Sequence, residues 1–454
     1  MTTSKSQRKY WTVCSHCQSR GKVDSKNNPN KYVNICKYCN GSGLQNSDTP
    51  IKPNHDKFPT IAIIGGGIGG SALAVALQHR GIPFVLYERD KYFAERSQGY
   101  GLTLQQASNA ISGLGINKLA DGVISDRHLV HTTNGNVIGQ WGMRKHLGTN
   151  VPPNSKRKNI HTSRQSLREH IQDQIYESNT IEWNHKFIGF KKNQHNFELS
   201  FDIDGRIHKT SADIIVGADG IYSTVRERVS ENKNMQLQYL DCIVVLGICS
   251  LNKLTHCHSD LLDGTTVFQT VNGHERMYVM PYDQNHIMWQ FSYPVSEQLA
   301  KEISSQGAAA LQSDACKRVK TWHTPVPDIV TQTDTANITG YPVYDRNMPF
   351  LSGFNRKNDI TLIGDAAHPM SPFKGQGANQ AILDALSLAK QLYIDYNKDS
   401  EKRTCESAKS TLQIFESEMQ SRVESKVTGS RTAARLLHST DVLRPRDNPR
   451  GRNI

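Results

Sequence analysis

The stretch from Thr60 to Arg89 constrains the fold of this 454-residue chain more than any other part. It begins with a short apolar run, Thr60–Ile64, whose β-branched residues indicate a buried strand. A glycine-rich turn follows, and apolar residues then recur at helical spacing from Ser71 to Arg80. A second apolar strand, Phe84–Tyr87, closes on the acid Glu88. Strand, glycine turn, helix, strand and acid in this order predict a dinucleotide-binding unit.

The glycines of the turn have the spacing G-x-G-x-x-G, and each has its own role. Gly65 permits the tight turn from strand to helix, Gly67 lets a pyrophosphate approach the backbone, and Gly70 lets helix and strand pack closely. The helix N-terminus adds N–H groups and a positive dipole end for the phosphates. Glu88, 18 residues after Gly70, lies where a carboxylate accepts hydrogen bonds from a ribose. We count the adjacent Arg89 with this cofactor site.

Composition favours a soluble globular protein of several domains, with 37% hydrophobic and 21% charged residues. No stretch approaches the roughly 20 apolar residues of a membrane span, and the first residues lack the apolar core of a signal peptide. We therefore expect no transmembrane segment and a cytoplasmic location. Of the net charge of +12, residues 1–58 contribute seven and residues 441–454 contribute two. Because the centre is nearly neutral, we expect anionic cofactors and basic tails, and no stable nucleic-acid binding.

Four of the nine cysteines form two C-x-x-C pairs near the N-terminus. Cys14 with Cys17 and Cys36 with Cys39 are separated by 18 residues, and each pair can hold one side of a tetrahedral Zn²⁺ through two thiolates. His16 is a further potential ligand, although four thiolates suffice. The remaining cysteines are scattered, which favours a reducing compartment with one metal site over a disulfide framework.

The second cysteine pair reads C-x-x-C-x-G-x-G from Cys36 to Gly43. It resembles the cysteine-rich repeats of DnaJ-type chaperones and small zinc ribbons. This resemblance is confined to the N-terminal module, so it implies zinc ligation and not chaperone activity. A redox-active C-x-x-C is the alternative, which two tandem pairs disfavour. So short a module needs its metal to fold, and it is a candidate for binding a protein partner.

Two further arginines are candidates for the cofactor site. Arg96 precedes a glycine-containing turn, where it can bind a phosphate or simply lie on the surface. Arg164 opens a helix for which Ser163 is a suitable N-cap, and Arg168 falls on the same face.

Two more apolar strands run into glycine-containing turns. The first, Ala212–Val216, leads to Asp219 and Gly220. The second, Ile360–Ile363, leads into the long turn Gly364–Gly377, after which a helical pattern begins. Near the start of this turn, Asp365 can accept a hydrogen bond from a cofactor hydroxyl. At its end, glycines at a helix N-terminus offer N–H groups that stabilise a developing anion.

Taken together, these three motifs resemble those of the class A flavoprotein monooxygenases, the para-hydroxybenzoate hydroxylase-like group. That family has G-x-G-x-x-G with a distal acid, a D-G motif and a G-D-A-A-H…P…G-Q-G motif, and the resemblance spans about residues 60–400 in the same order. It implies binding of FAD. The residues that it assigns to FAD are Glu88 for the adenosine ribose, Arg96, Arg164, Asp219, Gly220 and Asp365 for other cofactor contacts, and Pro372, Gly375, Gly377 and Ala378 for the isoalloxazine.

The resemblance also implies a reaction. NADH or NADPH reduces the flavin, and O₂ then hydroxylates an aromatic or polycyclic small molecule through a C4a-hydroperoxyflavin. Because a second G-x-G-x-x-G is missing, NAD(P)H is expected to bind transiently. No residue is assigned as a catalytic acid or base. A flavin oxidase or dehydrogenase on the same scaffold, or a binding protein tethered by its zinc module with a secondary flavin domain, are the alternatives.

The expected fold is therefore α/β. A Rossmann-like FAD-binding domain carries an inserted antiparallel-sheet substrate domain, a small N-terminal zinc module and a C-terminal helix. The expected units are a Cys₄ module (10–44), a linker (45–58), the first part of the FAD-binding domain (59–236), the substrate domain (237–345), the second part of the FAD-binding domain with the C-terminal helix (346–438) and a disordered basic tail (439–454).

Overall fold

The computed structural model of the chain describes residues 9–24, 33–95, 100–119, 121–147, 159–176, 181–229, 236–346, 359–397 and 405–450. Its strands are β1 (Tyr10–Val13), β2 (Lys22–Asp24), β3 (Val33–Ile35), β4 (Leu44–Ser47), β5 (Ile61–Ile64), β6 (Phe84–Tyr87), β7 (Gly101–Leu104), β8 (Val123–Ile124), β9 (Arg127–Thr132), β10 (Val137–Trp141), β11 (Ile160–Ser163), β12 (Ile181–Glu182), β13 (Lys186–Lys192), β14 (Phe197–Ile203), β15 (Arg206–Ala212), β16 (Ile214–Gly217), β17 (Gln238–Ser250), β18 (Thr266–Val271), β19 (Arg276–Pro281), β20 (His286–Pro294), β21 (Ile338–Asp345) and β22 (Ile360–Leu362). Its α-helices are α1 (Ile68–Gln78), α2 (Ala107–Ala110), α3 (Met143–Leu147), α4 (Arg164–Gln172), α5 (Thr224–Val229), α6 (Glu297–Ser305), α7 (Ala308–Val319), α8 (Val326–Thr331), α9 (Gly377–Tyr396) and α10 (Cys405–Leu437).

A five-stranded parallel sheet forms the centre of the cofactor domain, in the order β12-β6-β5-β16-β22. Strands β5, β16 and β22 are fully buried, as expected of parallel strands that helices cover. Each of these three strands runs into one of the glycine-containing turns. Because carboxyl ends of parallel strands meet at one edge of a sheet, the turns converge there. The mixed α/β fold predicted from the sequence is confirmed.

The second large sheet has seven strands in the order β10-β9-β18-β19-β20-β17-β21. We expected residues 237–345 to form this sheet alone. Instead, β9 and β10 come from the preceding part of the chain, and β9 pairs parallel to β18 while the other pairs are antiparallel. One face packs on α6, α7 and α8 through a core that includes Trp289 and Phe291. The opposite face carries Met280, Met288 and Tyr278 and contacts Phe373 of the third glycine-containing turn.

Helix α10 spans both domains, and the chain beyond it is ordered in the part that the structure describes. The expectation of a disordered tail is therefore wrong up to residue 450. Val442 is buried, Asp447 accepts from the amide of Gln140 at 2.9 Å, and the buried Arg450 donates to the Ile138 carbonyl at 2.9 Å. The tail thus satisfies backbone groups of β10 at the sheet edge, a role that composition does not reveal. Within the described ranges, no helix combines the length and apolar character needed to cross a bilayer.

The N-terminal module consists of two antiparallel two-stranded sheets, β1–β4 and β2–β3, and it packs against the cofactor domain. The Trp11 indole lies so close to Gly115 that a Cβ there would be 2.4 Å from its ring nitrogen. Ser19 Oγ accepts from Arg80 Nε at 2.9 Å, just beyond α1, and Lys390 Nζ on α9 donates to the Arg20 carbonyl at 2.6 Å. Residues 45–58 were expected to separate the two units, but the contacts show that the module is docked.

Two buried histidines make the free energy of unfolding sensitive to acid. Burial lowers the pKa of His79 and of His161 to about 3, with smaller contributions from Arg80 and His128. The unfolded histidine titrates near pH 6.5, so these neutral side chains contribute their full stability above that pH. The contribution is lost as the pH falls towards 3.

We therefore expect each of these two histidines to lower the free energy of unfolding by roughly 2 kcal/mol between pH 7 and pH 5, and His128, His131 and His438, whose pKa values burial lowers to about 4, to add to this loss. Denaturant unfolding at both pH values measures the total loss. Among the described residues, the ring nitrogens of His79 have no hydrogen-bond partner, so His79→Leu should reduce the loss by about 2 kcal/mol. An unchanged pH dependence in that variant would contradict the assignment.

Candidate active site

The first glycine-rich turn shows two kinds of glycine. Gly65 has φ +108°, and a Cβ there would lie 2.6 Å from the Ala218 carbonyl oxygen. A Cβ on Gly70 would lie 1.9 Å from the Gly65 carbonyl oxygen. By contrast, a Cβ on Gly67 would approach no described residue more closely than Arg164, whose Nη2 would lie 3.9 Å away. The protein's own packing therefore requires Gly65 and Gly70, whereas the space beside Gly67 forms a cradle that fits a pyrophosphate at the start of α1.

Glu88 lies at the carboxyl end of β6 and faces this turn. Its Oε2 accepts from the Gly66 amide at 2.7 Å, and its Oε1 accepts from the Asp90 amide at 3.0 Å. Each carboxylate oxygen can accept a second hydrogen bond, as from a ribose hydroxyl. Arg89 beside it is exposed, and Arg96 lies outside the described residues, so their roles at the cofactor site stay predictions.

Glu88→Ala should weaken FAD retention, because the variant loses both the ribose acceptor and the carboxylate that positions the turn. Two lost hydrogen bonds to a charged group suggest a weakening of at least about tenfold in affinity. Fluorescence titration of the apoprotein with FAD measures it. Glu182, half-buried at the end of the neighbouring strand β12, supplies the matched control Glu182→Ala. Equal affinities in the two variants would rule out the ribose role.

Side chains from four parts of the chain line a cleft beside the third glycine-containing turn. The Asp365 side chain is accessible to solvent, yet protein groups surround it on most sides, which is typical of a side chain in a deep cleft. The surrounding protein raises the pKa of its carboxyl by desolvation, and the charges of His368 and Arg164 oppose that rise. The Arg164 guanidinium lies 5.6 Å from the centre of the Tyr100 ring. Tyr341 on β21 is 36% exposed, and burial within the cleft raises the pKa of its hydroxyl, with Tyr100 and Asp365 adding to the effect.

The second motif adds an acidic side chain and an open backbone. Asp219 Oδ2 accepts from the Val225 amide at 3.1 Å near the start of α5. Among the described residues, nothing donates with hydrogen-bond geometry to its buried Oδ1. Burial raises the pKa of this carboxyl, although the Ser223 hydroxyl and nearby amides oppose the rise. Gly220 has φ +82°, and no atom of the residues that the structure describes lies within 4 Å of the position of a Cβ. Both features leave room and an acceptor for a ligand.

The third turn ends in a helix start that is open towards Asp365. Pro372 begins a short 3₁₀ turn, Gly375 follows with φ +58°, and Gly377 and Ala378 open α9. In the ranges that the structure describes, a Cβ on Gly377 would meet only Asp365 Oδ1, at 3.6 Å. The left-handed backbone that such turns need therefore lies at Gly375, while Gly377 provides close access to the first amides of the helix.

Two positioning residues on α9 escaped the sequence analysis. The buried Asn379 accepts from the amides of Gln105 and Ala107 at 2.8 and 3.0 Å and donates to the Thr103 carbonyl at 2.8 Å. It thereby holds the β7 loop against the third turn. The second positioning residue on α9 is Asp384. The sequence signal for both is a polar residue at a buried position of an otherwise apolar helix.

Asp384 is completely buried and accepts three hydrogen bonds. The donors are the Gly364 amide at 2.8 Å, His368 Nε2 at 2.7 Å and Arg422 Nη2 at 2.8 Å. Burial by itself raises the pKa of this carboxyl, but His368, Arg422 and the amide outweigh it and hold the pKa below its usual range. The carboxylate thus joins both ends of the Gly364–His368 turn to α10.

The four cysteines of the N-terminal module lie together and are buried, with their Sγ atoms all within 4.8 Å of one another. Cys14 and Cys36 Sγ are 4.0 Å apart, and Cys17 and Cys39 Sγ are 3.7 Å apart. Tetrahedral Zn–S bonds of about 2.3 Å place two sulfurs about 3.8 Å apart. The arrangement therefore fits a Cys₄ zinc site, while His16 is exposed and its ring packs on Tyr38.

Comparison with known proteins agrees with this geometry. Residues 58–418 match the family described as FAD binding domain. The chain is 27% identical over 342 residues to aurachin C monooxygenase/isomerase of Stigmatella aurantiaca, covering 74% of this chain and 81% of that protein. It is 25% identical over 394 residues to the chloroplastic zeaxanthin epoxidase of Oryza sativa subsp. japonica, covering 84% of this chain but only 56% of that longer protein.

Solved structures show the same fold. HpxO of Klebsiella pneumoniae, complexed with FAD and uric acid, superposes with a TM-score of 0.68 at 21% identity, over 84% of this chain and 89% of that chain. PqsL of Pseudomonas aeruginosa, in complex with 2-aminobenzoylacetate, gives a TM-score of 0.65 at 19% identity, over 84% and 97%. The chain therefore belongs to the FAD binding domain family and is an oxidoreductase related to FAD-dependent monooxygenases.

Proposed function

We propose that the chain is an NAD(P)H- and O₂-dependent FAD monooxygenase that hydroxylates an aromatic or polycyclic small molecule. The main observation in support is the cleft in which the three glycine-containing turns meet, opposite the face of the seven-stranded sheet that carries Tyr278, Met280 and Met288. When bound, FAD supplies the chemistry of hydride acceptance and oxygen activation. The relatives support this reaction class, since one is named a monooxygenase/isomerase for aurachin C, and HpxO was solved with FAD and uric acid, a ring compound.

The chain's own residues would divide the remaining work. Gly67 and the start of α1 would bind the pyrophosphate, and Glu88 the ribose. The first amides of α9 would stabilise negative charge at the pyrimidine end of the ring system. Asp365 and Arg164 would orient the cofactor, and the apolar side chains Met280 and Met288 would exclude water from the reacting centre.

Arg276 indicates which substrates suit this pocket. It is only 3% exposed, lies on the cleft-facing side of β19, and its guanidinium donates to the side-chain oxygens of Gln269 at 2.8 Å and Gln290 at 3.0 Å. The rings of Tyr278 and Phe373 lie 4.8 and 5.7 Å from it. Burial lowers its pKa to about 10, and no described carboxylate forms an ion pair with it. Because a buried cation is stabilised by a counter-charge, we propose that the substrate carries a phenolate, enolate or carboxylate.

The test is NAD(P)H oxidation by the FAD-loaded protein, screened against matched aromatic compounds with and without an ionised oxygen. A product that gains one oxygen atom supports hydroxylation, whereas H₂O₂ with every compound supports the oxidase alternative. Arg276→Gln should raise KM for the ionised compounds at unchanged FAD content, with partial rescue by Arg276→Lys. An equal effect on neutral compounds would contradict the proposed pairing.

The zinc module is proposed to be an integral part of this enzyme rather than a separate tether. Its hydrogen bonds support this view, because Ser19 accepts from Arg80, just after the C-terminal end of α1, and the Arg20 carbonyl accepts from Lys390 on α9. Binding of a further protein partner by the module stays a prediction.

A further inference from the structure

A second group of metal-binding side chains lies outside the cleft and the Cys₄ module. His256, Cys257 and Asp328 bring a nitrogen, a sulfur and a carboxylate oxygen within 4.8 Å of one another. His256 Nε2 and Asp328 Oδ1 are 3.5 Å apart, which exceeds the usual N–H···O distance. Two ligands of a tetrahedral Zn²⁺ with bonds of about 2.05 Å lie about 3.4 Å apart. The spacing therefore suits two ligands of one ion.

Two distant parts of the chain build this cluster. Cys257 is the last residue of a turn, which is closed by a hydrogen bond from its amide to the Leu254 carbonyl at 2.9 Å. Its side chain packs against the core beneath the seven-stranded sheet. Asp328 lies in the first turn of α8, where the helix dipole favours a carboxylate. The side chains of His256 and Asp328 are 54% and 35% exposed. The sulfur is thus anchored from the core, and an ion can enter from solvent.

The donor set selects the kind of metal. A thiolate and an imidazole favour borderline transition metals such as Zn²⁺ over Mg²⁺ and Ca²⁺, which prefer oxygen ligands. Three protein ligands leave a fourth position for water. A concavity of about 480 Å³ adjoins the cluster, and Cys257, His258 and Asp260 are among its lining residues, so polar groups are available to hold that water.

We propose that His256, Cys257 and Asp328 form a second site for a divalent transition metal of the zinc class, with an open position towards this concavity. The site lies on the face of the seven-stranded sheet that packs on α6, α7 and α8, opposite the flavin cleft. It joins the turn after β17 to α8 and does not depend on the function proposed for the cleft.

The experiment is zinc analysis of the full-length, FAD-loaded protein after equilibrium dialysis against buffered Zn²⁺. We expect two zinc ions per chain in the wild type and one in Cys257→Ser and in Asp328→Asn. Cys316→Ser is the matched control and should keep two, because Cys316 also lies in this domain but outside the cluster. Thermal melts and FAD content confirm that each variant is folded.

A spectroscopic arm identifies the ligands directly. Co²⁺ bound to Cys14→Ser should give a sulfur-to-metal charge-transfer band from Cys257 and from the three remaining thiolates of the Cys₄ module, and this band should lose the Cys257 contribution and weaken in the double variant Cys14→Ser/Cys257→Ser. Equal zinc content in the wild type and Cys257→Ser, or a cobalt band that the second substitution leaves unchanged, would overturn the proposal.

Discussion

Replacing Gly67 by valine is expected to abolish FAD retention in a folded protein, whereas the same replacement at Gly70 is expected to destabilise the fold itself. The backbone at Gly67 has φ −70°, which valine can adopt, and within the described part of the chain only Arg164 Nη2 lies within 4 Å of the position of a Cβ. The valine methyl groups would therefore occupy the cradle without disturbing the protein's own packing. At Gly70 the Cβ would lie 1.9 Å from the Gly65 carbonyl oxygen, so α1 would have to move away from β5.

The expected magnitudes differ accordingly. Loss of two charge-assisted hydrogen bonds to the pyrophosphate weakens FAD binding by about a hundredfold or more. The overlap at Gly70 destabilises the fold by about 3 kcal/mol or more. FAD content after desalting and circular-dichroism melts measure the two effects. A Gly67→Val protein with full FAD content would show that this turn does not face the cofactor, and a normally stable Gly70→Val protein would refute the packing argument.

Asp384→Ala is expected to destabilise the protein by about 3–5 kcal/mol, because it removes the buried acceptor shared by His368, Arg422 and the Gly364 amide. That loss is a large fraction of the roughly 5–15 kcal/mol that stabilises a typical domain. FAD affinity should fall as well, since the carboxylate holds the turn that carries Asp365. Asp384→Asn keeps the shape and one acceptor oxygen, so it should be intermediate.

Glu418 provides the matched control for this prediction. It also accepts from Arg422, at 2.9 Å, but it is 47% exposed. Exposed ion pairs contribute about 0–1 kcal/mol, so Glu418→Ala should change the free energy of unfolding little. Denaturant unfolding of the three variants compares them. A loss in Asp384→Ala no larger than that in Glu418→Ala would disprove the role assigned to the buried carboxylate.

The strands around the cleft could be predicted closely because their signals are local. The apolar runs before each glycine-containing turn became β5, β16 and β22, and the run Phe84–Tyr87 became β6 without a shift. Between Glu297 and Lys320 the helical pattern does not give one continuous helix, since Gly307 with φ +85° divides it into α6 and α7. One glycine inside a helical pattern does not by itself show whether the helix ends there.

By itself, the sequence determined the three turns, the order of the strands that feed them and the four cysteines of the proposed zinc site. These features depend on neighbouring residues, through positive φ angles, tight strand-to-helix packing and ligand spacing. Only the tertiary structure decided that β9 joins the large sheet, that residues 439–450 dock on its edge, that Asp384 clamps the third turn and that the N-terminal module packs on Arg80. Each of these depends on partners distant in the chain, and a local pattern carries no information about which distant groups will meet in the folded core.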